Sequence, residues 1–201
     1  MNASQSIPFV QLMWLKTQGC YREFGLIETI RRMFRELFRP FSTSKLQPDI
    51  SLVTEYLAIG AAPRSEDALK RLRDIGFSHV VDLRAERKQS DILASAREIS
   101  VRWVPTYDDW RPKSAEFYKK LSLELNSTLS DGGKLFICCG AGEHRAPLAG
   151  VLALVNIGYS LDTSISMIQK ARPVAELLPV YRSSLVEFLE NNHLQQAEKA
   201  N

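Results

Sequence analysis

Two cysteines stand side by side in "LFICCGAGEHRAP" (residues 135–147), and an arginine follows the second by six positions. Between them lie Gly140, Ala141, Gly142, Glu143 and His144. An apolar β-rich run precedes the pair, and Pro147 suits the first turn of a following helix. A strand-to-helix turn with two glycines can aim several backbone N–H groups at one point, and the helix N-terminus behind it favours an anion there. A thiol in that field sheds its proton readily. An arginine returning over the loop grips two oxygens of a phosphoryl group at once. A thiolate beneath a bound phosphate is the arrangement for covalent phosphoryl transfer through a phosphocysteine.

The spacing selects Cys139, because six residues after Cys138 stands His144. Cys138 is then expected to face away from the cradle as a packing residue. Transfer to sulfur also needs a proton for the leaving oxygen. "VPTYDDWRP" offers two loop carboxyls, Asp108 and Asp109, after a strand-like run and before the next helix.

The elements that must position these groups alternate along the chain. "ISLVTEYLAIGAAP" reads as strand, turn and strand, and "SEDALKRLRDIGF" as a helix with Ser65 as N-cap and Gly76 as its stop. "HVVDLR", "VRWVP" and "GKLFICC" read as buried strands. "SAEFYKKLSLELNSTL", "RAPLAGVLALVNIGY", "LDTSISMIQKARP" and "PVYRSSLVEFLENNHL" read as helices. Such alternation predicts an α/β fold, a mainly parallel central sheet flanked by helices, with ligands bound where strands end.

The 201 residues suffice for one domain with extensions, and 45% apolar against 24% charged residues marks a globular chain. The net charge of +3 gives no reason to expect nucleic acid, and no His/Cys/Asp/Glu spacing suggests a metal site. Cysteine occurs three times, too sparsely for a disulfide framework, which fits a reducing, cytoplasmic setting. "IPFVQLMWL" is apolar but short, with no Lys or Arg before Lys16, unlike a secretory signal or a membrane span. Residues 1–41 form an N-terminal extension, 42–49 a linker, 50–195 the catalytic domain and 196–201 a tail. Residues 1–48 hold seven basic against three acidic side chains, and the remainder nets −1. Wound as a helix, residues 24–41 put Ile27, Ile30, Phe34, Leu37, Phe38 and Phe41 on one face. Arg32, Arg35 and Arg39 lie on the other, with Arg31 at the border. That helix is expected to pack by its apolar face on the domain or a partner, or to make peripheral contact with an anionic membrane.

"CGAGEHRAP" resembles the motif of cysteine-dependent protein phosphatases: Cys, five residues, Arg, with Gly third after Cys. "ISLVTEYLAIGAAP" is similar to the opening hairpin of the dual-specificity branch, "HVVDLRAE" to its next strand, "VPTYDDW" to its general-acid loop and "ARP" to its helix end. The likeness covers roughly residues 50–190. It implies the dual-specificity phosphatase fold, with Cys139 as nucleophile, Arg145 as phosphate clamp, Asp108 as general acid and Asp109 as the alternative acid. Residues 140–145 would form the phosphate-binding loop, and no cofactor is required. Two positions depart from the family pattern. Cys138 replaces the usual His before the nucleophile, and Ala146 replaces a Ser or Thr whose hydroxyl helps release the thiolate. "RAP" at this place also occurs in glucan phosphatases and bacterial members. The resemblance implies hydrolysis of phosphate monoesters, phosphotyrosine first and phosphoserine or phosphothreonine next, on proteins. The alternatives are a non-protein ester (phospholipid, inositol phosphate or glucan) or a catalytically weak phosphate-binding module.

Overall fold

The apolar run Lys134–Cys139 forms β5, the middle strand of a five-stranded sheet. The computed structural model describes residues 8–37, 49–86, 99–130 and 132–200. In chain order, α1 (Phe9–Leu37) precedes the hairpin strands β1 (Ile50–Leu52) and β2 (Leu57–Ala61). Then come α2 (Glu66–Asp74), β3 (Phe77–Arg84), β4 (Ser100–Thr106), α3 (Ala115–Ser130) and β5. Three helices close the chain: α4 (Arg145–Asn156), α5 (Leu161–Ala171) and α6 (Pro179–Ala200). The sheet order is β1-β2-β5-β3-β4. Strands β2, β5, β3 and β4 are parallel, and β1 runs antiparallel beside β2. The expected linker lies outside the described residues except for its last residue, Asp49.

Local signals explain the boundaries. Ser65 Oγ accepts from the Ala68 N–H at 3.2 Å and starts α2. Gly76 ends it at φ 94°, a left-handed backbone that suits glycine. The core divides across the sheet. On one face, α3, α4, α5 and α6 pack over Ile59, Val81, Leu135 and Ile137. On the other, α2 covers Ala58, Val80 and Phe136. Successive residues of a strand point to opposite faces, so Cys139 belongs to the first layer and Cys138 to the second.

The extension departs from expectation. α1 contains a non-helical residue, Gly25 (φ 75°, ψ −178°), and turns back on itself there. Thr17 Oγ1 lies 3.5 Å from Met33 Sδ. A straight helix would separate residues so far apart in sequence by about 24 Å. Its arms, residues 9–24 and 26–37, form a helical hairpin. Leu12, Cys20 and Thr29 are buried, whereas Ile27, Ile30 and Phe34 are exposed. The apolar face is therefore turned away from the domain, while Arg31 and Arg35 are exposed as expected. Arg32, read as outward-facing, turns inward because partners await it: Glu28, both carboxylate oxygens of Glu176 (2.7 and 3.0 Å), and the rings of Phe24 and Trp110. Leu37, Phe38, Arg39 and Phe41 lie outside the described side chains.

Candidate active site

β5 ends at Cys139, beside Ala61 of β2, and the loop to α4 follows. Gly142 must be glycine: its φ is 69°, and an added Cβ would sit 2.5 Å from the Gly60 carbonyl carbon. This tight approach folds the loop over the strand end, and the Gly142 N–H donates to Cys139 Sγ at 3.2 Å. Gly140 is under no such demand, since an added Cβ would meet only the Arg145 and Glu86 side chains at ordinary distances. Arg172, just after α5, holds the loop from outside. Its Nε donates to the Gly142 carbonyl at 2.7 Å and Nη2 to the Ala141 carbonyl at 2.9 Å, while Asp49 grips the guanidinium bidentately.

Arg145 opens α4 and is buried. Nη1 and Nη2 bind the two Glu86 oxygens at 2.7 and 2.6 Å, and Nη1 also donates to the Thr106 carbonyl at 2.9 Å. Burial pushes its pKa down, but the Glu86 hydrogen bonds outweigh that and hold it above the ordinary arginine value. Burial likewise pushes the Glu86 carboxyl up, and Arg145 brings it below the usual range. Arg145 Nε is buried and finds no hydrogen-bond partner among the described residues. A buried donor of this kind calls for an acceptor, and a phosphoryl oxygen in the loop would supply one.

Two residues beyond β4 lies Asp108, also buried. Its Oδ1 accepts from the Tyr181 hydroxyl at 3.2 Å, and His144 Nδ1 lies 3.2 Å from Oδ2. Lys16 Nζ, from α1, stands 3.3 Å from the same oxygen. Burial pushes the Asp108 pKa up; His144 and Lys16 overcome it and hold the carboxyl well below the usual range. Asp109 is engaged elsewhere, with Lys113 Nζ at 2.6 Å from Oδ1. Trp110 follows with a left-handed backbone, φ 57°, which is costly for a bulky residue. Packing holds it: its N–H donates to the Tyr181 hydroxyl at 3.2 Å, and its ring meets those of Phe24 and His144 edge-on. Cysteine, arginine and carboxylate thus converge at the strand ends.

No family model matches the chain. Dual specificity phosphatase 28 of Mus musculus is 28% identical over 130 residues, which is 64% of this chain and 77% of the mouse protein. This likeness and the shared fold support assignment to the dual-specificity phosphatase family. The crystal structure of human DUSP28 superposes on the phosphatase with a TM-score of 0.62 at 23% identity, covering 73% of this chain and 99% of that one. PTPMT1 superposes with a TM-score of 0.63 at 18% identity, over 74% and 99% respectively.

The structure brings some of the residues read from the sequence to one place. Cys139, Arg145 and Asp108 come together, with His144 beside Asp108. Cys138 lies across the sheet, where burial raises its thiol pKa well above the ordinary value. Asp82 and Arg84 make a buried bidentate pair, 2.7 Å at its shortest. Ala146 is fully buried in the first turn of α4. Four contributors escape sequence reading: Lys16, Glu86, Arg172 and Tyr181. Each reaches the site from another element; Arg172 lies in "ARP" and Glu86 at the end of "HVVDLRAE", whereas Lys16 and Tyr181 fall in no quoted family motif.

Proposed function

We propose that this phosphatase works through a phosphocysteine on Cys139, with Arg145 as the phosphate clamp and Asp108 as the acid. The observation that carries the reading is the buried, unpartnered Nε of Arg145, on the helix that opens from the loop over Cys139. The Cys139 thiolate attacks phosphorus and the bond to the ester oxygen breaks. Asp108 gives that oxygen its proton and becomes a carboxylate. Water then attacks the phosphocysteine, returns a proton to Asp108, and releases phosphate and the thiolate. Residues 140–145 cradle the three non-bridging oxygens. Ala146 supplies no hydroxyl to help sulfur leave, which makes the second step the slower one. Asp109 serves the loop through Lys113, which favours Asp108 over it.

The substrate class is phosphotyrosine on proteins, with phosphoserine and phosphothreonine next. Glu143 lies in the cradle loop, where a carboxylate repels a headgroup bearing several phosphates, with little screening inside a pocket. kcat/KM for a phosphotyrosine peptide is expected to exceed that for a phosphoinositide presented in mixed micelles. Glu143→Lys should narrow the gap by raising the lipid's rate. A wild-type preference for the polyphosphorylated lipid, measured with the same enzyme, overturns the assignment. Failure of both substrates and of an aryl phosphate would leave a phosphate-binding module.

The buried, unbridged cysteines favour a reducing compartment, and the cytoplasm is the site we assign. Peripheral membrane contact is assigned to residues 24–41. In the second arm of α1, Leu26, Ile27, Ile30 and Phe34 form an exposed apolar stripe flanked by exposed Arg31 and Arg35. Such a stripe suits the surface of an anionic bilayer. Among the described residues, no helix is long and apolar enough to cross a membrane. Full-length protein should sediment with phosphatidylserine vesicles more than with phosphatidylcholine vesicles, and Ile27→Asp with Ile30→Asp should release it. Equal sedimentation with both vesicle types, or no effect of the double change, would rule this contact out.

A further inference from the structure

The first arm of α1 crosses the loop that bears Asp108. Gly19 lies so close that an added Cβ would sit 2.5 Å from Trp110 Cβ and 2.8 Å from the Trp110 carbonyl oxygen. Phe24 meets the Trp110 ring edge-on, with centroids 5.8 Å apart. From the second arm, Arg32 stacks 4.1 Å above Phe24 and ties to Glu176. The Glu176 N–H in turn donates to the Glu143 carbonyl of the catalytic loop at 2.8 Å. The hairpin therefore grips the acid loop on one side and the neighbourhood of the phosphate loop on the other. At the end of this grip, Lys16 Nζ reaches Asp108 Oδ2, with each side chain 12% exposed.

We propose that α1 is part of the active site and that Lys16 is a positioning residue for Asp108, fixing the acid before substrate arrives. The proposal rests on the reading of Asp108 as the acid. Asp108 is held from three elements. Tyr181 of α6 takes Oδ1, and His144 of the catalytic loop shares Oδ2 with Lys16. The other charges facing it are Arg145 at the start of α4, Glu86 beyond β3, and Lys113 with Asp109 on the loop before α3. Without Lys16, Oδ2 would keep only an imidazole, and the carboxyl could turn about its Cβ. An ammonium at this distance also favours the carboxylate over the acid, so a residue outside the catalytic domain tunes the pH at which the acid loses its proton.

The test uses the full chain with 13C-carboxyl-labelled aspartate, followed by NMR through a pH titration in wild type, Lys16→Gln, Lys16→Met and Lys16→Arg. The Asp108 resonance should titrate at higher pH in the Gln and Met variants and return towards wild type with Arg. For a poor leaving group, the alkaline limb of the kcat/KM profile should move up by at least about one pH unit in the same two variants. An unmoved Asp108 titration overturns the proposal. So does an equal fall in rate for good and poor leaving groups with an unmoved profile, which is what a loosened fold produces. Asp108→Asn measured alongside separates this from the underlying reading. A loss there that ignores the leaving group removes the acid assignment and the proposal with it. A leaving-group-dependent loss there, beside an unmoved Lys16→Gln, removes the role of Lys16 alone.

Discussion

Cys139→Ser is expected to abolish turnover of an aryl phosphate, a loss on the order of 10⁴-fold or more, while Cys138→Ser keeps a measurable rate. The reason is the face each side chain occupies. Cys139 Sγ accepts the Gly142 N–H of the loop, and an alcohol in its place stays protonated and attacks phosphorus poorly. Cys138 is packed with Phe136, Val80 and Leu72 on the far side of the sheet. A serine there puts a hydroxyl into a buried layer beside the Asp82–Arg84 pair and gives up apolar contact, at a cost of about 1–3 kcal/mol. Its signature is a lower melting temperature, with turnover of the folded fraction little changed. Initial rates on 4-nitrophenyl phosphate, with circular dichroism to count folded protein, decide the matter. A folded but inactive Cys138→Ser beside an active Cys139→Ser would reverse the assignment.

Asp108→Asn carries the second large effect. An amide cannot give the leaving oxygen its proton, so kcat for a poorly leaving phenyl phosphate should fall by about 10²–10⁴-fold. A substrate whose oxygen leaves unaided should lose much less. Asp109→Asn should cost little by this measure, because that carboxylate serves Lys113. The pH dependence has a definite sign. His144 and Lys16 hold the Asp108 pKa well below the usual range, so in the free enzyme the acid form is populated only on the acidic side. kcat/KM for the poor leaving group should therefore fall as pH rises, and Asp108→Asn should remove that limb. A phosphate dianion beside Asp108 opposes the Lys16 ammonium and favours the proton. The limb in kcat should accordingly lie at higher pH than the limb in kcat/KM. Equal losses for both leaving groups, or a limb that survives in Asp108→Asn, would take the role away from this residue.

What spacing reveals is local. Ser65 and Gly76 bracket α2 because capping and a left-handed stop act within one turn. The choice between Cys138 and Cys139 is legible for a similar reason, since a strand alternates its faces residue by residue. The partners of the chemistry are distant in the chain. Tyr181 joins Asp108 from α6, Glu86 meets Arg145 from beyond β3, and Lys16 comes from the far side of the linker. No periodicity links such positions, because the sheet order β1-β2-β5-β3-β4 and the α1 hairpin bring them together. The extension shows a different limit. Amphipathic spacing revealed a stripe on residues 24–41 but not which side would be covered. Arg32 decides that by stacking on Phe24 and Trp110 and pairing with Glu176, which leaves Ile27, Ile30 and Phe34 exposed.

The grip of Arg172 on the catalytic loop bears on how an anion is received. Its guanidinium engages the carbonyls of Ala141 and Gly142, and Asp49 fixes the guanidinium in turn. The peptide dipoles of that turn are aligned when the chain folds and need no realignment when charge develops at the phosphoryl oxygens. In water the same charge must turn solvent dipoles around it, and that reorganisation is a large part of the barrier to the uncatalysed reaction. Here that orientation is held by an ion pair between Asp49, just before β1, and Arg172, just after α5.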